Sequence, residues 1–279
     1  MFRYLLAAAA SLALASPALA QGAAAPLPSP EEAGKGFTVA LGVGYTPDYV
    51  GSDDYRIIPA GAIRGSIGSV GLRSRSTFLY ADLFPRGAGR VDFDFGPIAG
   101  VRLNRSTRID DPIVKLLPER NMAFEVGGFA GISLHDLTNP YDTLSFRLDV
   151  LHDIGNAHRS TVFSPNVEFS TPLSLKTYAA LSIGADFVAD RYADYYFSIT
   201  PADSLASGLP PFNAGGGMEK WKSGLVVNQS ITGDLTHGLS LFGTAEYSRL
   251  VGDFKRSPIV SLRGTPDQWL VAAGLAYTF

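Results

Sequence analysis

Cysteine is absent from this sequence of 279 residues, which excludes disulfide bonds, thiolate metal sites and lipid attachment through a cysteine. An uncharged apolar run of about 18 residues is also absent beyond residue 20, so we expect no membrane-spanning helix in the rest of the chain. Histidine is scarce, with four copies, and the sequence has no nucleophile elbow, HExxH motif or phosphate-binding loop. We therefore expect no cofactor and no enzymatic function.

A concentration of positive charge is missing as well. The chain has 23 Lys and Arg residues against 26 Asp and Glu residues, which gives a formal net charge of −3. Nucleic-acid binding requires a basic patch or stripe, and no stretch of the chain provides one. The sequence therefore predicts no nucleic-acid partner.

The N-terminus has the pattern of an export signal. Arg3 supplies one positive charge, an Ala- and Leu-rich stretch follows over 4–16, and Ala18-Leu19-Ala20 is a small-x-small cleavage site. The pattern predicts a signal peptide over 1–20 that is cleaved after Ala20. Residues 21–35, rich in Ala, Pro, Ser, Glu and Gly, predict a flexible lead-in, and 36–279 would form one domain.

From residue 36 onward, apolar residues recur at every second position, as in β-strands. Residues 144–150 show the pattern, with Leu, Phe, Leu and Val alternating with Ser, Arg and Asp. We predict twelve strands, at 36–46, 55–66, 70–82, 90–104, 121–134, 142–153, 160–170, 174–189, 194–200, 219–231, 238–250 and 268–279.

An even number of such strands with one continuous apolar face is typical of a transmembrane antiparallel β-barrel. A sheet in lipid must close on itself because every backbone amide there needs a partner. A soluble β-sandwich is the alternative, but the second face is rich in Gly, Ala and Ser, which suits a crowded lumen. The fold class is therefore all-β, a barrel of about twelve strands.

The predicted orientation follows from the even strand count, which places both termini in the periplasm. The long connections 204–218 and 252–267 would then be external. The segment 104–120 would be an unusually long periplasmic turn, with a possible short helix at 112–117. The last strand carries Leu275, Tyr277 and Phe279 on one face and ends in Phe, which resembles the C-terminal signature read by the outer-membrane assembly machinery. We expect an outer-membrane location, in contact with lipid and with that machinery.

Side-chain parity predicts the charged residues that face the lumen. They could line a selective pore or pair across neighbouring strands and fill a narrow barrel, and we favour pairing because selectivity usually needs a ring of one sign. The predicted inward charges are Arg56, Arg64, Arg73, Arg75, Arg102, Arg147, Lys176, Lys222, Asp92, Asp94, Glu125, Asp149, Glu168, Asp186 and Glu246. Aromatics at strand ends predict interfacial girdles, namely Tyr45, Tyr55, Tyr80, Tyr195, Trp221, Tyr247, Trp269 and Tyr277.

Three stretches carry a family resemblance. The first comprises Tyr49, Gly51, Ser52, Asp53 and Tyr55, with Pro59 in the second strand. The second comprises Ser207, Gly208 and Leu209, followed by Gly215 and Gly216, and the third comprises Asp253, Ser257 and Pro258 before the closing Tyr277 and Phe279. In this order they resemble the MipA/OmpV family of outer-membrane proteins.

The resemblance implies an outer-membrane barrel and, as our first functional hypothesis, a scaffold that docks a lytic transglycosylase and a penicillin-binding protein. The alternative is a small diffusion pore or uptake channel, and a surface adhesin or barrel enzyme comes third. An open lumen would favour the pore, whereas a lumen filled by side chains would count against it. We expect most motif residues to shape external loops rather than to perform chemistry.

Overall fold

A computed structural model of the protein describes residues 36–84, 89–106 and 109–279. Twelve antiparallel strands form a closed barrel in which each strand pairs with its sequence neighbours and the last strand pairs with the first. This confirms the predicted fold class and strand number. The predicted signal peptide and lead-in, 1–35, lie outside the described residues. No helix within the described ranges is long and apolar enough to cross a bilayer.

The strands differ in length, and two of them are short. Their bounds are β1 Thr38–Pro47, β2 Tyr55–Ile67, β3 Val70–Arg75, β4 Phe78–Asp82, β5 Val91–Arg102, β6 Ala123–His135, β7 Thr143–Asp153, β8 Thr161–Pro172, β9 Thr177–Val188, β10 Gly217–Ser230, β11 Gly238–Leu250 and β12 Asp267–Thr278.

One face of the wall is apolar and open to its surroundings. Leu41, Ile57, Phe93 and Ile183 lie on this face and are all more than half exposed. Because successive strand residues point to opposite faces, the intervening residues face the lumen. Residues that pair across neighbouring strands lie on the same face of the wall, as Leu41 and Leu275 do on the outer face.

Two strand predictions are wrong, and their errors cancel in the count. The segment 70–82 is a hairpin of β3 and β4, because Ser76 adopts a φ of 50° and reverses the chain. The segment 194–200 is mostly helical, since helix α1 spans Asp190–Phe197. Its buried residues Tyr192, Ala193, Tyr196 and Phe197 follow the helical spacing of three and four rather than strand alternation.

The extra hairpin changes which end of the barrel each connection occupies. The connections at the loop end follow β1 (48–54), β3 (76–77), β5 (103–122), β7 (154–160), β9 (189–216) and β11 (251–266). The opposite end, which we call the terminal end, holds the start of β1, the end of β12 and the connections after β2 (68–69), β4 (83–90), β6 (136–142), β8 (173–176) and β10 (231–237). The expectation that 104–120 shares an end with the termini is therefore wrong. The three longest connections, 103–122, 189–216 and 251–266, all lie at the loop end.

These long connections contain the helices. A 3-10 helix spans Val114–Leu116, inside the stretch predicted to hold a short helix. Helix α2 spans Pro201–Ser207 and begins with a capping box in which Thr200 and Asp203 bond each other's backbone N–H groups. Helices α3, Gly252–Arg256, and α4, Pro258–Ser261, follow β11.

Candidate functional site

The long connections pack into a hydrophobic core in the mouth of the barrel, which we call the lid. The core joins side chains from the connections to inward residues at the strand ends, so it is continuous with the inner wall. Its buried members are Tyr49, Val114, Leu117, Val162, Val188, Tyr192, Ala193, Tyr196, Phe197, Ile199, Leu209, Ala214, Leu250, Phe254, Ile259 and Val260. Val162, Val188 and Leu250 belong to β8, β9 and β11. The lid therefore fills the loop end.

The first family stretch lies within the lid and contacts the last long connection. The hydroxyl of buried Tyr49 donates to the carbonyl oxygens of Ile259 and Arg263, at 3.2 and 3.3 Å. Gly51 has a φ of 102°, and a Cβ there would lie 2.4 Å from Cγ2 of Val260. Glycine is required because its backbone approaches Val260 in a left-handed conformation.

The other members of this stretch have different surroundings. Ser52 is fully buried and pairs with Gly264 in an antiparallel bridge, whereas Asp53 is exposed. The Tyr55 hydroxyl accepts from the backbone N–H of Trp269 at 3.0 Å. Pro59 lies on the outer face of β2, in a part of that strand that pairs only with β1. A proline is tolerated at such an edge because it lacks the N–H that a central strand would use.

The second and third stretches meet each other in the lid. Gly215 donates its N–H to Oδ2 of Asp253 at 2.9 Å, and Ser257 donates its hydroxyl to the carbonyl of Phe197 at 2.5 Å. The Gly215 N–H and the neighbouring Arg256 hold the pKa of Asp253 below its usual range. Pro258 opens α4 and is buried. The geometry gives these residues contacts that hold one loop against another.

The remaining residues of the second stretch shape the end of α2. Gly208 terminates the helix in the left-handed conformation, with a φ of 75°. The Ser207 hydroxyl donates to the carbonyl of Asp203 at 2.7 Å, and Leu209 is buried in the lid core. Gly216 donates its N–H to Oδ1 of Asp190 at 2.7 Å, which fixes the start of β10 against α1.

An ion pair ties the 103–122 connection to the last loop. Nη2 of Arg263 lies 2.6 Å from Oδ2 of Asp111, and the N–H groups of Ile113 and Val114 donate to Oδ1 of the same carboxylate at 2.8 and 2.7 Å. Burial alone would raise the pKa of Asp111, but these hydrogen bonds and the Arg263 charge outweigh it and lower the pKa. The folded lid therefore favours the ionised carboxylate.

We expect Asp111→Asn to loosen the lid in a pH-dependent manner. The lowered pKa means that the stabilisation is present above the unfolded pKa of about 3.9 and is lost as the pH falls through the still lower folded value. At pH 7 the variant should exchange the amides of 109–117 about tenfold faster than the wild type, because it loses a charge-assisted hydrogen bond. Hydrogen–deuterium exchange, corrected for the intrinsic pH dependence, measures the difference.

Asp53→Asn is the control for this experiment, because Asp53 is an exposed aspartate of the same lid and its replacement should change nothing. The difference between wild type and Asp111→Asn should shrink as the pH falls below the unfolded pKa of about 3.9. An equal difference at pH 3 and pH 7 would contradict the assigned role of the carboxylate.

Below the lid, ion pairs and hydrogen bonds link side chains that face the lumen. Nη2 of Arg75 on β3 lies 2.7 Å from Oε2 of Glu168 on β8, five strands away around the wall. The Tyr80 hydroxyl on β4 donates to Asp149 on β7 at 2.9 Å, and Asp149 also contacts Nε of Arg147 at 2.7 Å. The contacts of Arg75 with Glu168 and of Tyr80 with Asp149 cross the interior, whereas Arg147 and Asp149 are two residues apart on β7.

A buried charged group joins the wall to the lid. Arg102 donates to both oxygens of Glu125, at 2.6 and 2.9 Å, and Nε2 of His158 lies 2.9 Å from the same carboxylate. The rings of His158 and Tyr192 lie 5.0 Å apart, and the Tyr192 hydroxyl donates to Glu219 at 3.1 Å. The side chains of Glu125 and His158 are fully buried. This group links β5 and β6 to helix α1.

The other predicted lumen charges have varied environments. Asp186 contacts Lys222 at 2.8 Å and Lys220 at 3.6 Å, and Asp94 accepts from Ser133 at 2.7 Å. Asp92 lies 3.0 Å from Nε2 of His135. The guanidinium of Arg73 lies 5.6 Å from the ring centroid of Tyr80 and 5.3 Å from that of Phe129. The register places Glu246 opposite Leu270 on the inner face. Lys176 is an exception, because it lies in the 173–176 turn outside the strand.

The aromatic girdle forms at only some of the predicted positions. Tyr45 stacks on Tyr55 at 4.9 Å between ring centroids, and Trp221, Tyr247 and Trp269 form a continuous outer cluster. The prediction is wrong for Tyr80, which is buried in the lumen, and for Tyr195, which lies on α1. Both were misplaced by the two wrong strand assignments.

The C-terminal residues complete the barrel. Leu275, Tyr277 and Phe279 lie on the outer face and are about half exposed or more, and the rings of Tyr277 and Phe279 lie 4.9 Å apart. The N–H of Phe279 donates to the carbonyl of Phe37 at 2.9 Å. The last strand thus seals the wall against β1.

Sequence reasoning missed the residues that make the lid one unit. The predicted strand 194–200 includes Tyr196 and Phe197, and Tyr192 lies in the predicted connection before it. The pairing of Asp111 with Arg263, 152 residues apart, has no local signal. Nothing in the local sequence indicates that His158 is a buried partner of Glu125. The capping sequence from Thr200 to Asp203 was visible and could have indicated helices in this region.

A closed barrel with an apolar outer face, an aromatic rim and a charged interior defines an outer-membrane β-barrel protein. The sequence profile of the family described as MltA-interacting protein MipA matches residues 39–279. The chain belongs to this MipA family.

Solved outer-membrane barrels are similar in fold. OmpT of Vibrio cholerae is 6% identical, with 88% of this chain and 97% of that chain covered and a TM-score of 0.36. OprD of Pseudomonas aeruginosa is 9% identical, with 88% and 93% covered and a TM-score of 0.33. A FadL homologue of Pseudomonas aeruginosa is 12% identical, with 87% and 88% covered and a TM-score of 0.33. A search of curated proteins found no match.

Proposed function

We propose that this barrel is a non-enzymatic scaffold of the outer membrane that docks a murein-remodelling lytic transglycosylase, together with a penicillin-binding protein. The observation that carries the proposal is membership of a family described as MltA-interacting, over 39–279. In this proposal the motif residues hold the lid together, and the partner binds elsewhere.

The packing inside the barrel favours a docking scaffold over a diffusion pore. A pore needs a continuous aqueous path, whereas here the lid core fills one mouth and the pair of Arg75 with Glu168 crosses the interior. A barrel of this kind offers its surfaces rather than its lumen to other molecules.

The terminal end is the proposed docking face. An even strand number puts both termini at one end, and in our proposal that end faces the periplasm, where murein enzymes act. Exposed apolar side chains occur in its turns, including Leu137 and Ile231, which are 44% and 51% exposed. Apolar side chains of this kind are the anchors expected in a protein interface.

A cross-linked pull-down of the tagged mature barrel from its native envelopes tests the proposal. Mass spectrometry should show enrichment of a lytic transglycosylase or a penicillin-binding protein over an unrelated barrel. The double variant Leu137→Ser with Ile231→Ser should lower that enrichment about tenfold, because losing an interface anchor costs roughly 1–2 kcal/mol.

Leu205→Ser is the matched control, since Leu205 on α2 is 91% exposed at the opposite end. Its enrichment should equal that of the wild type. Absence of any enriched murein enzyme would reject the scaffold and make conductance the next measurement. If Leu205→Ser lowered the enrichment and the double variant did not, the docking face would have to be at the loop end.

Biogenesis follows from the same proposal. We expect export through the 1–20 signal peptide with cleavage after Ala20, and recognition of Leu275, Tyr277 and Phe279 by the assembly machinery. N-terminal sequencing of the mature protein checks the cleavage site, which should give Gln21 as the first residue.

A further inference from the structure

A cleft of about 310 Å³ lies at the loop end, between the 154–160 connection and helix α1. Three residues of the connection and three of the helix line it, namely Ala157, His158, Arg159, Arg191, Asp194 and Tyr195. Two arginines, one carboxylate and one aromatic ring therefore share a small concave surface.

The two arginines of this cleft have no carboxylate partner. Arg159 and Arg191 are both exposed, and neither forms an ion pair with any residue of 36–84, 89–106 or 109–279. A guanidinium group presents planar N–H donors that match the oxygens of a phosphate or a carboxylate. Two unpaired guanidinium groups in one cleft therefore favour an anion as the ligand.

Two further arginines add positive charge around the same helix. The guanidinium of Arg120 lies 4.8 Å from the ring centroid of Tyr195, and buried Arg105 donates to the carbonyl of Tyr196 at 3.0 Å. Nε of each arginine is buried and has no hydrogen-bond partner among the described residues. Burial and the neighbouring charge of Arg120 lower the pKa of Arg105 to about 10. An anion in the cleft would supply negative charge to this group of four arginines.

The backbone holds Arg159 in an unusual conformation. Its φ is 49°, in the left-handed region that arginine rarely adopts. Buried Asp153 fixes this shape, because one of its oxygens accepts from the N–H of Gly155 at 2.8 Å and the other from the N–H of Arg159 at 2.9 Å. The connection that carries Arg159 is therefore held in one shape, as strained residues at ligand clamps are.

A second cleft, of about 430 Å³, adjoins the first at Asp194, which lines both. Part of its wall is apolar and includes Pro201, Pro211 and Phe212. Asp194 and Asn213 are exposed on this wall, and their side chains form no hydrogen bond with the part of the chain that the structure describes. A free carboxylate and a free amide beside apolar rings suit the hydroxyls and the C–H face of a sugar.

From this arrangement we propose that the two clefts bind a phosphorylated sugar, whose phosphate lies between Arg159 and Arg191 and whose hydroxyls contact Asp194 and Asn213. Asp194 sets the direction, because a carboxylate accepts hydrogen bonds from hydroxyls and repels a phosphate. A soluble sugar phosphate and the headgroup of a phosphorylated glycolipid both offer this chemistry. The site does not depend on the proposed docking role, which concerns the terminal end.

Isothermal titration calorimetry of the barrel in neutral detergent tests the site, with trehalose 6-phosphate as the probe. Trehalose and inorganic phosphate should each bind about tenfold more weakly or less, because each lacks one part of the contacts. Arg159→Asn and Arg191→Gln should each weaken the binding of trehalose 6-phosphate about tenfold, because a charge-assisted hydrogen bond is lost. Asparagine tolerates a left-handed backbone, so the 154–160 connection should keep its shape in Arg159→Asn.

Lys255→Gln is the charge-matched control, because Lys255 is an exposed cation of α3 that lines neither cleft, and its affinity should equal that of the wild type. Asn213→Ala should weaken the binding of trehalose 6-phosphate and leave that of inorganic phosphate unchanged. Equal affinity for trehalose and its phosphate, or unchanged affinity in both arginine variants, would overturn the site. Equal affinity for inorganic phosphate and trehalose 6-phosphate would overturn the assignment to a sugar.

Lipid A, a phosphorylated glycolipid, distinguishes the two sources of this chemistry. If the ligand is a glycolipid headgroup, lipid A added to the detergent micelles should displace trehalose 6-phosphate from the wild type. Binding of trehalose 6-phosphate that lipid A does not displace would assign the site to a soluble sugar phosphate.

Discussion

Glu125→Ala should destabilise the barrel by about 3–5 kcal/mol, the usual cost of removing one partner of a buried ion pair. The Glu125 side chain is fully buried, and the variant removes the carboxylate to which Arg102 donates twice and with which His158 shares a hydrogen bond. The loss should reach the lid, because Arg102 also packs over the ring of Tyr192 on α1. Urea unfolding in lipid vesicles, followed by the emission of Trp221 and Trp269, measures the change.

Glu246→Ala is the matched control for Glu125→Ala. Glu246 also faces the lumen, but it makes no ion pair with any residue that the structure describes. Its removal should cost less than about 1 kcal/mol. Equal destabilisation by the two variants would show that the pairing of Glu125 with Arg102 and His158 does not contribute more to stability than an unpaired lumen carboxylate does.

Gly264→Ala should open the lid while the barrel stays folded. A Cβ at this position would lie 1.9 Å from the carbonyl oxygen of Gly51, so the backbone on one side must move. The movement would break the bridge between Ser52 and Gly264 and the 2.9 Å bond from the Thr265 N–H to the Gly51 carbonyl. Overpacking of this kind costs about 1–3 kcal/mol or more, so trypsin should cleave 251–266 about tenfold to a hundredfold faster.

The control for Gly264→Ala is Gly243→Ala on β11, where an added Cβ meets nothing within 4 Å. Its cleavage pattern should match that of the wild type. Retention of the folded barrel is checked by its altered gel mobility without heating. Cleavage of Gly264→Ala at the wild-type rate would mean that the lid does not depend on the close approach of these two glycines.

Strand alternation was sufficient to predict the wall. In regular segments such as Val91–Arg102, one face contacts lipid and the other the lumen, so a period of two follows directly from the environment. Even the lumen parity could be derived without a structure. Alternation continues unchanged through a tight turn, so it does not reveal the chain reversal at Ser76.

The lid could not be predicted in the same manner. Its residues come from connections far apart in sequence, as in the contacts of Tyr49 with Ile259 and of Asp111 with Arg263. No local periodicity encodes such pairs. The family stretches indicated that these loops matter, and the structure gives the physical reason, which is that Gly51, Gly215 and Ser257 are held at points where two loops meet.

If the barrel presents surfaces for docking instead of a path for solutes, as we propose, its lumen must be sealed. Single-channel recording of the purified, refolded protein in planar bilayers tests it most directly. We predict that the recordings show no stable open-channel current at any of the salt concentrations at which porins conduct. A steady open channel whose conductance rises with salt concentration would contradict the account and establish a diffusion pore in its place.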